Sequence, residues 1–226
     1  MQHLLSSLFL LAALGHCVPH HARSTPAIPL KDVSNTGASP LPSPTGTLKY
    51  IAIGLGSQNY TCNGATYASD GALARLYDAT SYLSNNPGKV DTLPSTYLKS
   101  FNSLPCSDDL SDCVLTDDAC EDIAALLSGT PLPILGQHYF TSTLTPTFDL
   151  YFGAGHPFLY AKKVGDVPAP TSGNVDWLYL ASNGSSSNKI VSSVYRLETQ
   201  GGVAPSSCTG SDVLTVPYAA EYWFYG

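Results

Sequence analysis

Residues 47–62 read TLKYIAIGLGSQNYTC, and the fold turns on how this stretch is read. From Leu48 to Gly56 the residues alternate: Tyr50, Ala52, Gly54 and Gly56 fall on one face, Ile51, Ile53 and Leu55 on the other. A period of two with β-branched residues on one side is the pattern of a strand that lays one face on a core. Gly54 and Gly56 weaken a strand and mark a bulge or a close approach to its backbone. Beyond them Gln58, Tyr60 and Cys62 continue the even-numbered face unless a bulge resets the register. A strand this long belongs inside a sheet, because a lone ribbon cannot bury its apolar side.

The same stretch carries a resemblance to a dinucleotide fingerprint. Gly54-Leu55-Gly56 ends an apolar strand signal, and Asp78 stands further along, where an acidic residue would meet a ribose. The third glycine, which lets a helix pack on the strand, is replaced by Asn59. The next residues, SQNYTCNGATY, place turn formers and a cysteine where a helix should offer its N-terminus to a pyrophosphate. Repeated βα units are missing as well, so no nicotinamide or other cofactor is expected.

Around this strand the chain has the composition of an exported protein. Only 12% of its 226 residues are charged, about half the usual share, while Tyr (14), Gly (19) and Pro (17) are plentiful. A net charge of −7 argues against nucleic acid or an anionic membrane as partner, since both demand a basic patch. Residues 1–18, MQHLLSSLFLLAALGHCV, read as a signal peptide: the apolar run from Leu4 to Leu14 is too short to span a bilayer. Its n-region lacks Lys and Arg, and cleavage is expected between Gly15 and Pro19. No later apolar run approaches membrane-spanning length, so a soluble, secreted, extracellular protein is expected. Residues 19–46, rich in Pro and Ser, read as a disordered or extended lead-in. Residues 47–226 then form a single β-rich domain with a helical insertion at about 79–133.

In the insertion, Pro94–Leu104 is a candidate short helix, and Thr116–Leu127 a better one, with Thr116 as N-cap, Asp117 and Asp118 in the first turn and Gly129 at its end. The remaining strand signals are Ala72–Asp78, Ile134–Thr141, Thr147–Phe152, Phe158–Val164, Val175–Ala181, Val191–Thr199 and Tyr218–Tyr225. Turn chemistry separates them, as in GAGHP, GDVPAPTSGN and SNGSSSN. About eight strands without alternating helices predict a mainly β fold, an antiparallel sandwich or barrel with a small disulfide-stapled helical insertion. Once Cys17 is lost, Cys62, Cys106, Cys113, Cys120 and Cys208 remain. A local disulfide among Cys106, Cys113 and Cys120 is the expected use of that evenly spaced group, whose spacing is not that of a zinc site.

Candidate chemistry is thin. His138 and His156, with Asp149 between them, match no metal-ligand spacing, and no metal is expected. Cleavage after Gly15 would expose His16 as a copper-binding amino terminus, but it heads a Pro-rich tail instead of a strand. No G-x-S-x-G elbow is present. Asp149, Asp176, Glu198 and Glu221 lie on or near strands, where paired carboxylates would serve glycoside hydrolysis. The plainer reading puts them on a wet sheet face, with Asp176, Arg196, Glu198 and Glu221 in cross-strand charge pairs. Aromatics are in surplus: Trp177 and Tyr179 on one face, then Tyr195 and the run Tyr222-Trp223-Phe224-Tyr225. One aromatic face fills a core and a second would serve as a groove for sugars or apolar ligands. The candidate ligand-facing residues are Tyr60, His138, His156, Trp177 and Tyr179. Asn183 in its serine-rich loop is a good glycan acceptor, and Asn59 a second sequon.

The phrases PTGTLKYIAIGLGSQNYTC, GHPFLYAKKVGDVPAP, VDWLYL, VYRLETQGGVAP and VPYAAEYWFY together resemble a secreted fungal and bacterial family, the domain of unknown function 3455. Fungal members often carry the label malate dehydrogenase, which a chain without the third fingerprint glycine does not support. Shorter bacterial relatives keep counterparts of Cys62 and Cys208 and lack most of the 79–133 insertion. The resemblance therefore implies a Cys62–Cys208 disulfide between the first strand and the loop before the last. The expected function is non-enzymatic binding at a cell surface or host interface, with carbohydrate or a small apolar ligand as partner. The alternative is a secreted polysaccharide-active hydrolase.

Overall fold

Leu48–Cys62 forms strand β1, flanked on one side by β2 (Tyr67–Asp78) and on the other by the last strand, β8 (Val213–Tyr225). The computed structural model describes residues 25–30, 40–103, 132–185 and 188–226. Between β2 and β8 run α1 (Thr80–Asn85), a 3-10 turn (Pro87–Lys89), α2 (Leu93–Phe101), β3 (Ile134–Phe140), β4 (Pro146–Asp149), β5 (Phe158–Val167), β6 (Trp177–Ser182) and β7 (Ser193–Gly201). Each strand pairs antiparallel with its sequence neighbours, and β8 returns to β1, so the sheet closes into an eight-stranded barrel. Of the two expected architectures, it is the barrel.

Closure explains why β1 is buried on both faces rather than one. Its even-numbered side looks into the lumen, where Ala52 joins Ala74, Leu76, Phe148, Leu159, Leu180, Val194, Ala220, Tyr222 and Phe224 from around the barrel. Its odd-numbered side, Ile51, Ile53 and Leu55, looks outward into a second core with Tyr77, Tyr195, Leu197 and Trp223. Helix α2 covers that outer core through Leu93, Tyr97 and Phe101, spaced four apart on one helix face. The two glycines serve close approach. A Cβ at Gly54 would lie 2.4 Å from the Tyr222 ring, and one at Gly56 would lie 1.9 Å from the Leu73 carbonyl oxygen. Gly54 thus makes room for the Tyr222 ring of β8, and Gly56 for the close backbone of β2.

Several element readings are corrected. β2 begins at Tyr67, five residues before the expected strand, because its YASD start is mostly exposed and carries no apolar alternation. β4 stops at Asp149, short of the expected end at Phe152, which sits in the adjoining turn and is 70% exposed. β8 begins at Val213 and runs through Pro217, whose carbonyl accepts from Gly202 N at 3.0 Å. In the lead-in, Leu41 is buried, Ile28 and Leu30 pack on the outer core, and the Pro42 carbonyl accepts from Tyr195 OH at 3.0 Å. Those described pieces form a cover packed against the outer core. The helix expected over Thr116–Leu127 and the cysteines Cys106, Cys113 and Cys120 lie outside the described residues.

Candidate functional site

The barrel has two unlike ends. At one, the turn after β4 closes over the lumen, with Ala154 N donating to Tyr50 OH at 2.8 Å. His156 stands at this end, its Nε2 2.6 Å from Asp149 Oδ1 and its carbonyl bound by Asn188 Nδ2 at 2.6 Å. The other end is bounded by the β1–β2, β3–β4, β5–β6 and β7–β8 connections, and there the lumen opens into a cleft of about 530 Å3. The Cys62–Cys208 disulfide, with Cα atoms 5.9 Å apart, ties the end of β1 to the β7–β8 connection that forms the rim.

Parity decides which side chains reach this cleft. Gln58 and Tyr60 continue the lumen-facing side of β1, since the bulge between Asn59 and Tyr60 shifts β2 while the register with β8 is kept. Arg196 stands opposite both Leu178 and Tyr222, in the lumen row of β7. Lys163 stands opposite Leu180, also a lumen residue. Tyr67, Phe140, Asn174 and Asp176 complete the walls.

Under the cleft lies a polar chain. Tyr218 OH and Tyr222 OH are 2.9 Å apart, and the Arg196 guanidinium bonds the Tyr222 hydroxyl. Arg196 Nε and Nη2 also donate to the Asp176 carbonyl, at 3.2 and 2.9 Å. A guanidinium has five donors, so these partners do not exhaust it. Tyr60 OH donates to the Gly202 carbonyl at 2.6 Å, which fixes its ring at the rim. Burial raises the phenols of Tyr60, Tyr218 and Tyr222, against the opposing pull of the Arg196 charge. All three are therefore neutral donors at physiological pH. Gln58 is only 6% exposed, and although it slightly offsets the rise at Tyr218, its Nε2 reaches no acceptor in hydrogen-bond geometry. A buried donor left unmet is costly, so this atom is a place where a ligand acceptor would be welcome.

Of the expected ligand-facing residues, the structure brings Tyr60 alone to the cleft wall. His138 lies deeper in the lumen, stacked on Phe148 at 4.2 Å with Nδ1 2.9 Å from the Thr147 carbonyl. Burial first, then the Arg196 charge, lowers its pKa to about 4 against the Thr147 bond, so the ring is neutral. Trp177 and Tyr179 belong to the outer core: Trp177 is 1% exposed, and Tyr179 packs on Tyr195 at 4.7 Å. They stand on the odd-numbered face of β6, which belongs to the outer core and not to the cleft. His138 and His156 sit in different parts of the barrel, and among the described residues no three His, Cys, Asp or Glu side chains gather.

The acidic residues part company with expectation as well. Glu221 is fully buried in the outer core, its Oε2 accepting from Trp223 Nε1 at 2.7 Å and its Oε1 unpartnered. Burial raises its pKa well above the usual carboxylate range. Arg196 bonds the carbonyl of Asp176, not a carboxylate. Asn183 is exposed, with Oδ1 accepting from Ser185 N at 2.9 Å, and Asn59 is half-buried against Ser57. Gln58, Lys163 and Asn174 carry no signal of their own in the sequence. The parity of Gln58 with Tyr60 is visible there, but which face is lumen is not.

Gly54-Leu55-Gly56 lies in mid-strand, and β1 runs on to Cys62 with no helix behind it. No curated protein and no solved structure matches the chain. A family model does match it over residues 42–226, and the chain belongs to that family, described as protein of unknown function (DUF3455).

Proposed function

We propose that this is a secreted, non-enzymatic binding protein that takes carbohydrate in the cleft at the open end of its barrel. The observation that carries the reading is the make-up of that cleft. Rings of Tyr60, Tyr67 and Phe140 stand beside amide and guanidinium donors from Gln58, Asn174 and Arg196. Sugars present C–H faces to aromatic rings and hydroxyl edges to such donors. A small apolar ligand fits less well, because aromatic and aliphatic side chains already fill the lumen. Glycoside hydrolysis asks for two carboxylates across the scissile bond, and Asp176 is the one carboxylate among the described residues lining the cleft. A dinucleotide reading lacks the helix N-terminus that would hold a pyrophosphate. Secretion is supported by the leader-like residues 1–18 and by a disulfide, which persists in oxidising compartments.

The test is binding of the full chain to an array of cell-wall oligosaccharides, then titration of any hit against Tyr60→Ala and Tyr67→Ala. Binding that falls at least tenfold in both variants supports the reading. Binding unaffected by either, or release of reducing ends from the bound sugar, would sink it. Mass spectrometry of the mature amino terminus from culture medium checks export separately.

A further inference from the structure

We infer that the cleft is built for an acidic sugar, a saccharide whose carboxylate is held by Arg196 and Lys163. The inference rests on the carbohydrate reading and narrows it to one chemical class.

Charge is the first observation. The chain carries ten Lys and Arg residues and a net charge of −7, yet two of those cations point into one cleft. Their partners leave them with donors to spare. Arg196 gives two bonds to a neutral carbonyl and one to a neutral phenol, so among the described residues no carboxylate bonds it directly. Lys163 shares its ammonium with Asp166 at 3.1 Å, on the exposed rim. Asp176 also lines the cleft, and its carboxylate offsets part of the positive field. The planar fork of an arginine matches a carboxylate in a way an uncharged hydroxyl does not. Gln58 supplies the second observation: a residue only 6% exposed on the cleft wall, whose buried amide nitrogen lies near Tyr218 yet meets no acceptor in good hydrogen-bond geometry among the described residues. A turn of the Gln58 amide toward the cleft would let one ligand oxygen accept from both Gln58 and Arg196. The rings of Tyr60 and Tyr67, 6.3 Å apart edge to face, then flank the remainder of the sugar.

The experiment is calorimetric titration of the full chain with three probes: trigalacturonate, its methyl ester and neutral galactotriose. The acid is expected to bind at least tenfold more tightly than the other two, with the advantage shrinking as salt rises. Arg196→Gln is expected to remove most of that advantage, and Lys163→Gln about threefold of it. Gln58→Leu is expected to weaken binding about tenfold while leaving thermal stability unchanged or raised, because it deletes an unmet buried donor. A residue with a merely structural role would not show that combination. Should Arg196→Gln fail to fold, the ester probe and Lys163→Gln decide. Equal affinity for acid, ester and neutral sugar, with Tyr60→Ala still abolishing binding, overturns the inference and leaves the carbohydrate reading standing. No binding of trigalacturonate, with a neutral sugar from the array still bound, overturns the inference alone, and no binding to any probe or any array sugar overturns both.

Discussion

Burial lowers the pKa of His138 and raises that of Glu221, and the two push stability in opposite directions with pH. His138 has a folded pKa of about 4 against the ordinary 6.5. The unfolded chain therefore binds the extra proton first, and stability is lost as pH falls from 6.5 towards 4. The difference corresponds to on the order of 3 kcal/mol. His138→Phe should flatten this limb of a urea-midpoint profile between pH 6.5 and 4. Glu221 runs the other way: its folded pKa is raised, so its contribution is intact below about 4.5 and lost as pH climbs through the folded value. Glu221→Gln keeps an oxygen for Trp223 and removes the ionisation cost. It should gain about 1 kcal/mol near neutral pH and nothing in mild acid, read by denaturant midpoints under the two conditions. Neither behaviour is legible in the sequence, where Glu221 looks like any acidic residue on a strand.

At the scale of elements, β1 is legible in the sequence to within a residue of its bounds because the positions from Leu48 to Gly56 alternate cleanly. Strands β3 and β5 are legible for the same reason, at least at their starts. Helix α1 is not: it has six residues, one buried side chain and no side-chain N-cap bond, so its sequence holds no periodic signal. The candidate site is legible only in part, since alternation sorts residues into two faces without naming the lumen. That choice is made by closure, when Tyr222 meets the glycine side of β1. The glycines give a prediction at this scale. Gly56→Ala sets a methyl against the Leu73 carbonyl, which belongs to a paired strand and cannot step aside. It should cost about 3 kcal/mol, and Gly54→Ala less, since a ring can turn further than a backbone. Equilibrium unfolding of the two variants ranks them.

At the scale of the whole molecule, the described residues show a long covalent loop and a layered cover. Cys62 and Cys208 are 146 residues apart, for which the chain-entropy account gives about 5 kcal/mol. Replacing both cysteines by Ala should lower the urea midpoint accordingly. Binding at the cleft should weaken too, because residues 203–206 of its rim lose their anchor. The cover is the second contribution. Removing residues 1–43 takes away Leu41 and the Pro42 carbonyl, and uncovers the part of the outer core around Tyr195. The shortened chain should melt lower and bind a hydrophobic dye that the full chain does not.

The ring of strands also sets an order of events. β1 emerges early from the ribosome, but one of its two neighbours is β8, made last. Until that final segment arrives, a long apolar ribbon has an unzipped flank, and pairing across so much sequence is slow. Folding must then wait for synthesis to finish, and a nested set of chains truncated before Val213 should stay sensitive to protease however much of the remainder is present.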